Sequence, residues 1–128
     1  MKVLLDTHIL LWWQQDRLRL GERARSIIAS PEVAVLVSTA SLWEIAIKFR
    51  LGKLNVRSSE ALSHARDEGF TIIAIEADHV AKVEYLPHVD GHRDPFDQLL
   101  LAQAEVERAA FMTSDRILTR YGIPCIPA

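Results

Sequence analysis

Short apolar runs alternate along the chain with segments whose apolar residues recur at helical spacing. The runs predict strands, and the intervening segments predict helices. The predicted strands are residues 2–5, 33–38, 70–75, 110–112 and 123–126. The predicted helices are residues 8–15, 22–29, 39–51, 59–68, 76–86 and 95–107, with a helical turn at 115–121. Strand alternating with helix is typical of an α/β fold whose central parallel sheet is covered on both sides.

The segment "VAVLVS" at 33–38 is almost entirely apolar, as expected for a strand buried on both faces. Gly52, Gly69 and Pro87 stand where the preceding helices should end. Sites in parallel sheets form outside the carboxyl ends of the strands. Residues that directly follow the strands are therefore the first candidates for chemistry.

A chain of 128 residues predicts a single domain, spanning 1–128. Its 49% hydrophobic content supports one sizeable core, and no apolar stretch approaches the roughly 20 residues that cross a bilayer. Asp6 and His8 interrupt the apolar start of the chain, which argues against a signal peptide. The only cysteine, Cys125, cannot form an internal disulfide. These features predict a cytoplasmic protein with no membrane partner.

Charge is distributed unevenly, although the net charge is only −2. Residues 1–64 contain nine Lys and Arg and six Asp and Glu. Residues 65–128 contain six Lys and Arg and eleven Asp and Glu. The basic share is concentrated in Lys48, Arg50, Lys53 and Arg57. A basic patch attracts phosphates directly, and an acidic patch binds them only through a cation. The pattern is compatible with a nucleic-acid enzyme but does not identify one.

Two aspartates follow predicted strands directly. Asp6 ends the first strand and Asp115 comes soon after the fourth, so both should lie at one edge of the sheet. Aspartate is also a favoured N-cap for a following helix. For each residue taken alone, capping and a functional role are about equally supported.

Glu44 differs because it lies inside a predicted helix. The neighbours predicted to be buried are Leu42, Trp43, Ile45, Ala46, Ile47 and Phe49. An exposed ion pair with Lys48 at i,i+4 would explain Glu44 without function and would contribute about 0.3–0.5 kcal/mol. Since so little of the helix is polar, we expect Glu44 to point into a cleft.

The segment "DPFD" begins the predicted helix at 95–107. Asp94 suits the N-cap, Pro95 the first helical position and Asp97 the third, close to a capping box. Local structure alone would explain these residues. It does not explain why four acids from separate segments should converge, and hard oxygen ligands on separate elements suit Mg²⁺ or Mn²⁺.

Other chemistries are poorly supported by the sequence. No Cys/His set has zinc-ligand spacing, and neither a Gly-rich phosphate loop nor a G-x-S-x-G turn is present. His88, Asp90 and His92 could hold a metal, but they fall in a segment with Pro and Gly and are expected to be solvated.

The chain resembles PIN-domain proteins, specifically the VapC-type toxin ribonucleases of toxin–antitoxin systems. The resemblance covers essentially the whole length and is carried by four motifs in order. These are "LLDTHILLWW" at 4–13, "VSTASLWEIAIKFRLGKL" at 37–54, "HRDPFDQLLLAQA" at 92–104 and "MTSD" at 112–115. It implies an α/β/α sandwich with an acidic Mg²⁺ or Mn²⁺ site at the strand ends.

The resemblance also assigns residues. The implied catalytic and metal-binding acids are Asp6, Glu44, Asp97 and Asp115. Asp94 is given a supporting role, together with the candidate hydroxyls of Thr7, Thr113 and Ser114. Gln98 stands where many relatives have arginine, so one local cation is missing.

The implied activity is endonucleolytic cleavage of RNA by a metal-activated water, leaving 5′-phosphate and 3′-hydroxyl ends. Lys48, Arg50, Lys53 and Arg57 would steer the RNA backbone. Implied partners are a second copy of the chain and a cognate antitoxin that covers the acidic site.

Two other classes of function stay open at this point. The chain could be a binding module whose acids only cap helices and pair with lysines, which predicts no divalent-metal binding. It could instead be a phosphoryl-transfer domain with a strand-end aspartate. Against that, "DTHIL" lacks the second acid of the D-x-D pattern and the amino-terminal region lacks an acidic pair.

Overall fold

Strands and helices alternate along the chain in a computed structural model that describes residues 1–128. The strands are β1 (Lys2–Leu5), β2 (Ala34–Ser38), β3 (Thr71–Ile73), β4 (Ala110–Thr113) and β5 (Cys125–Pro127). The helices are α1 (Thr7–Gln15), α2 (Glu22–Ala29), α3 (Thr39–Arg50), α4 (Ser58–Asp67), α5 (Ala77–Val83) and α6 (Pro95–Val106). Two 3₁₀ segments, Arg17–Arg19 and Arg116–Tyr121, follow α1 and β4. None of the helices combines the length and the apolar character needed to cross a membrane.

The five strands form one parallel sheet in the order β3-β2-β1-β4-β5. Successive side chains of a strand point to opposite faces. On β1, Val3 and Leu5 belong to a core shared with α1, α2 and α4, whereas Leu4 packs with α6 on the other face. The predicted parallel sheet and α/β/α sandwich are therefore confirmed, and β1 lies at their centre.

The outer strands differ most from the sequence prediction. β3 covers only Thr71–Ile73 rather than 70–75, because its sole partner is β2, and β2 ends at Ser38 opposite Ile73. β5 runs over Cys125–Pro127 rather than 123–126, in register with the end of β4. Edge strands have one neighbour to fix their length, so local sequence constrains them less than it constrains β1.

Two predicted core positions, Trp43 and Ala46, are wrong. Trp43 is 56% exposed, although the apolar pattern of α3 predicted burial. The fully buried positions of this helix, Ala40, Ser41 and Ile45, form a narrow stripe. Trp43 lies about 200° around the helix from Ser41, outside that stripe, and its ring instead meets Phe96 edge-on at a centroid distance of 4.9 Å. Ala46 is exposed as well.

Candidate active site

Asp6 lies at the end of the central strand, where it caps α1. Its side chain is buried, and the residue is only 2% exposed. Oδ1 accepts a hydrogen bond from the Thr7 backbone N–H at 2.8 Å, and Oδ2 accepts one from Thr113 Oγ1 at 2.7 Å. His8 Nδ1 lies 3.4 Å from the same Oδ2. The capping role and a fixed orientation of the carboxylate therefore coexist.

The environment of Asp6 disfavours its charge. Burial raises the pKa of this carboxyl above its ordinary value, while His8 and the hydrogen bonds from Thr113 and Thr7 oppose that rise. The negative charge of Glu44 adds to the rise. A cation placed in the cleft would relieve both the desolvation and the repulsion.

Glu44 projects from the middle of α3 into the same cleft as Asp6 and Asp97. Its side chain is 13% exposed, and Oε2 lies 3.0 Å from Lys48 Nζ. The predicted i,i+4 ion pair and the predicted cleft position thus both occur. The cleft has a volume of about 390 Å³.

Asp97 lies in the first turn of α6 behind a well-formed cap. Asp94 Oδ1 accepts hydrogen bonds from the backbone N–H groups of Phe96 and Asp97, and Pro95 occupies the first helical position. The Asp97 carboxylate does not complete a capping box. Instead, Oδ2 lies 3.0 Å from Nε2 of His92.

Burial raises the pKa of Asp97 to about 6, against an ordinary value near 4. The hydrogen bond from His92 opposes the rise, and the charges of Asp6 and Asp94 reinforce it. Two carboxyls that face the same cleft therefore both resist ionisation.

The sequence missed His92. We expected solvation, yet its side chain is only 7% exposed, with Nδ1 2.6 Å from the hydroxyl of Tyr121. His88 and Asp90 are exposed, as expected. No local pattern identifies His92, because the partner that buries it lies 29 residues farther along the chain.

Asp115 is not brought into the cleft. It is exposed, and its Oδ1 caps the second 3₁₀ segment by accepting from the Ile117 backbone N–H at 3.2 Å. It lines a separate pocket of about 300 Å³ that also includes Arg116 and Cys125. Three of the four predicted acids thus share one cleft, and the fourth lies at the neighbouring strand end.

The candidate hydroxyls join the two strand ends to the surrounding helices. Thr113 Oγ1 donates to Asp6 and accepts from the Asp115 backbone N–H at 3.0 Å. Thr7 Oγ1 donates to Ser41 Oγ at 2.9 Å. Ser114 Oγ lies 2.7 Å from Nε2 of His8.

The cleft also contains cations, one of which the sequence missed. Lys48 lines it beside Glu44, and Arg19 lines it from the first 3₁₀ segment. The Arg19 guanidinium stacks on the Trp12 ring at 4.4 Å and forms no ion pair.

The remaining predicted cations lie outside the cleft lining. Arg50 and Lys53 are exposed, and Arg57 lies over the Phe49 ring at 4.6 Å. Gln98 lines a different depression, of about 380 Å³, next to the loop before α6. Gln98 therefore forms no part of the wall of the acid cleft.

The donor set decides which metal the cleft can accept. No three His, Cys, Asp or Glu side chains are close enough together to form a complete metal site. Mg²⁺ commonly keeps several waters and takes only one or two protein carboxylates. Carboxylates spaced around an open cleft therefore fit a hydrated Mg²⁺ or Mn²⁺ and do not fit a fully protein-ligated ion.

The chain resembles known proteins in sequence pattern and in fold. The PIN domain family model matches residues 3–124. No significant match was found among curated protein sequences.

Similar folds occur among solved structures. VapBC2 from Rickettsia felis, bound to a DNA fragment from its promoter, aligns with a TM-score of 0.76 and 16% identity over 99% of this chain and 98% of that one. VapBC-1 from nontypeable Haemophilus influenzae aligns with a TM-score of 0.69 and 15% identity, over 99% of this chain and 98% of that one. The PIN domain endonuclease Utp24 aligns with a TM-score of 0.57 and 19% identity, over 99% of this chain and 84% of that one.

Proposed function

Because the chain belongs to the PIN-domain family, whose members are nucleases, we propose that it is a Mg²⁺- or Mn²⁺-dependent endoribonuclease. The observation that carries the proposal is the convergence of Asp6, Glu44 and Asp97 on one cleft. Two of these carboxyls have raised pKa values there. Such a grouping costs stability unless a cation binds, so it is expected at a metal site rather than among helix caps.

Asp6 and Asp97 are the proposed metal ligands. Asp115, which lines the separate pocket at the neighbouring strand end, is proposed to act on the metal only at longer range, through its charge. A bound divalent cation would neutralise phosphate charge and favour ionisation of the attacking water. The protein side chains would orient the metal ligands. Thr7 and Thr113 fix the Asp6 carboxylate through hydrogen bonds at 2.8 Å and 2.7 Å.

Glu44 is the proposed residue that orients the attacking water. Its Oε2 is paired with Lys48, which leaves Oε1 available to accept a hydrogen bond. Because Glu44 lies on a helix rather than at a strand end, it approaches the cleft from a direction different from that of Asp6 and Asp97. Attack of that water on phosphorus would break the P–O3′ bond, so the water oxygen stays on a 5′-phosphate and O3′ leaves and is protonated to a 3′-hydroxyl.

The RNA strand would lie along the cations of the cleft wall. Lys48 and Arg19 can each contact a phosphate, and the Trp12 ring holds the Arg19 guanidinium in place by stacking. Arg50, Lys53 and Arg57 would act at longer range, by steering the backbone toward the cleft.

The proposed partners are a cognate antitoxin and a second copy of the chain, with activity in the cytoplasm. Similar folds were solved as VapBC complexes from Rickettsia felis and Haemophilus influenzae. Exposed apolar side chains suited to such contacts are Leu18, Trp43 and Leu51, which are 85%, 56% and 62% exposed.

The decisive experiment incubates the purified protein with 5′-labelled RNA in Mg²⁺, Mn²⁺ or EDTA and maps the product ends. We expect cleavage only with metal, and its loss in Glu44→Gln, which preserves size while removing charge. Glu60→Gln is the matched control, since Glu60 is exposed and lies outside the cleft.

Other outcomes favour the rival functions. Absence of both cleavage and Mn²⁺ binding by calorimetry would favour a non-catalytic binding module. A covalent aspartyl-phosphate at Asp6 would favour phosphoryl transfer. Cleavage of DNA with RNA left intact would reject the ribonuclease assignment but keep the nuclease.

A further inference from the structure

We propose that His92, held by Tyr121, is a positioning residue that fixes the Asp97 carboxylate for divalent-metal binding. The inference rests on the proposed function, because it concerns the same cleft. It assigns a role to two residues outside the set of acids. Neither residue needs to touch metal or RNA in this role.

Three separate segments meet at His92. The residue belongs to the loop before α6, Asp97 to the first turn of α6, and Tyr121 to the end of the second 3₁₀ segment. Tyr121 is 4% exposed and packs in the core with α6, and its ring meets the imidazole edge-on at 5.5 Å. The hydroxyl that contacts His92 is therefore carried by a fixed side chain.

One tautomer of a neutral imidazole satisfies both contacts. Nδ1 accepts from the Tyr121 hydroxyl at 2.6 Å, and the Nε2 hydrogen is donated to Asp97 Oδ2 at 3.0 Å. The opposite tautomer would leave Nε2 without a hydrogen to give to the carboxylate. An ionised Asp97 can only accept, so it selects the tautomer with hydrogen on Nε2. Tyr121 satisfies the remaining Nδ1 and holds the ring in place, in the way that outer groups commonly orient metal ligands.

The position of Asp97 explains why such a constraint is needed. A Glu or Gln at the third helical position commonly reaches back to the N–H of the N-cap residue and completes a capping box, and Asp97 stands at that position. That conformation would turn the carboxylate of Asp97 toward Asp94. The hydrogen bond from His92 takes the place of that capping contact. It occupies Oδ2 of Asp97 and leaves Oδ1 free to bind a cation.

The test is Mn²⁺ affinity, measured by calorimetry on the whole protein and on four variants. His92→Ala should weaken binding 10- to 100-fold, the range found when groups that orient metal ligands are removed. Tyr121→Phe keeps the ring and removes only the hydroxyl, so we expect a smaller weakening. His92→Gln should recover part of the loss, because its amide can donate to Asp97. His88→Ala, an exposed position in the same loop, is the control and should bind as the native protein does.

Kinetics give a second readout that a purely structural role would not move. The Mg²⁺ concentration for half-maximal cleavage should rise in His92→Ala, while the rate at saturating Mg²⁺ stays near the native value. If His92→Ala does not fold, Tyr121→Phe decides the question. Native-like Mn²⁺ affinity in that variant would then overturn the inference.

Failure of the inference is distinguishable from failure of the proposed function. Native protein that binds no Mn²⁺ would remove the proposed function and the inference together. Native protein that binds Mn²⁺ with the same affinity as a folded His92→Ala variant would overturn the inference alone.

Discussion

Asp6 and Asp115 occupy equivalent places in the sequence and different places in the molecule. Each follows a strand of the parallel sheet, on the adjacent strands β1 and β4, and each caps the helical segment that comes next. Asp6 is buried, in contact with Thr113 and His8. Asp115 is exposed and lines another pocket.

The difference comes from what packs around each strand end. β1 is the central strand, and α1 after it lies against the core with α3 and α4. β4 has the three-residue edge strand β5 as one neighbour, and a 3₁₀ segment follows it. A strand-end aspartate therefore marks an edge of the sheet, while the burial of its charge depends on the elements that cover it.

The largest expected effect separates the two aspartates by activity. Asp6→Asn should lower metal-dependent RNA cleavage more than 100-fold, since even groups that merely orient a ligand typically contribute 10- to 100-fold. Asp115→Asn should lower it less than about tenfold, because that carboxylate lies outside the cleft. Initial rates at saturating Mg²⁺ measure both, and equal losses would contradict the distinction between the two sites.

A smaller effect, on stability, is expected from substitution of Thr113, which contacts both Asp6 and Asp115. Thr113→Val removes a hydroxyl that donates to Asp6 Oδ2 and accepts from the Asp115 N–H. Leaving both groups without that partner should lower the free energy of unfolding by about 1–3 kcal/mol, measured in urea.

Thr119→Val is the matched control, since Thr119 is exposed and its hydroxyl bonds only the nearby Arg116 carbonyl. Its effect should stay within about 0.5 kcal/mol. Similar losses in the two variants would show that the bridge between the strand ends adds no specific stability.

The last prediction, a difference in pH dependence, tests whether Asp97 behaves as a buried acid of the cleft. Its pKa of about 6 means that the folded state keeps a proton which the unfolded state releases between about pH 4 and pH 6. The free energy of unfolding contributed by this group therefore falls as pH rises through that window.

Asp97→Asn removes this dependence on pH. In EDTA, the variant should gain stability relative to the native protein above about pH 6 and show no such gain at about pH 4. Urea unfolding at a series of pH values measures the difference. Parallel stability curves for the two proteins would contradict the raised pKa.

Local patterns were enough to predict much of the fold and part of the site. The apolar runs predicted the central strands, and "DPFD" predicted the cap formed by Asp94. The placement of Glu44 in a cleft followed from the scarcity of polar residues on α3. These features depend on residues within a few positions of one another.

Features that depend on distant partners were missed. His92 is buried by Tyr121, and Arg19 enters the cleft by stacking on Trp12. Trp43 is exposed because the buried stripe of α3 is narrow, which an apolar composition does not reveal. The separation of Asp115 from the cleft likewise depends on the path of the chain after β4.

The bond between Thr113 and Asp6 has a consequence for the order in which the protein is made. It joins residues 107 positions apart, and β1 pairs with β4 in the same region. Contacts of such long range form late, because the entropy of closing the intervening loop must be overcome first. The Asp6 carboxylate, although synthesised among the first residues, thus gains its fixed orientation only after Thr113 has been added. A ribosome-bound fragment that stops short of β4 therefore carries the acids of the cleft without the assembled site.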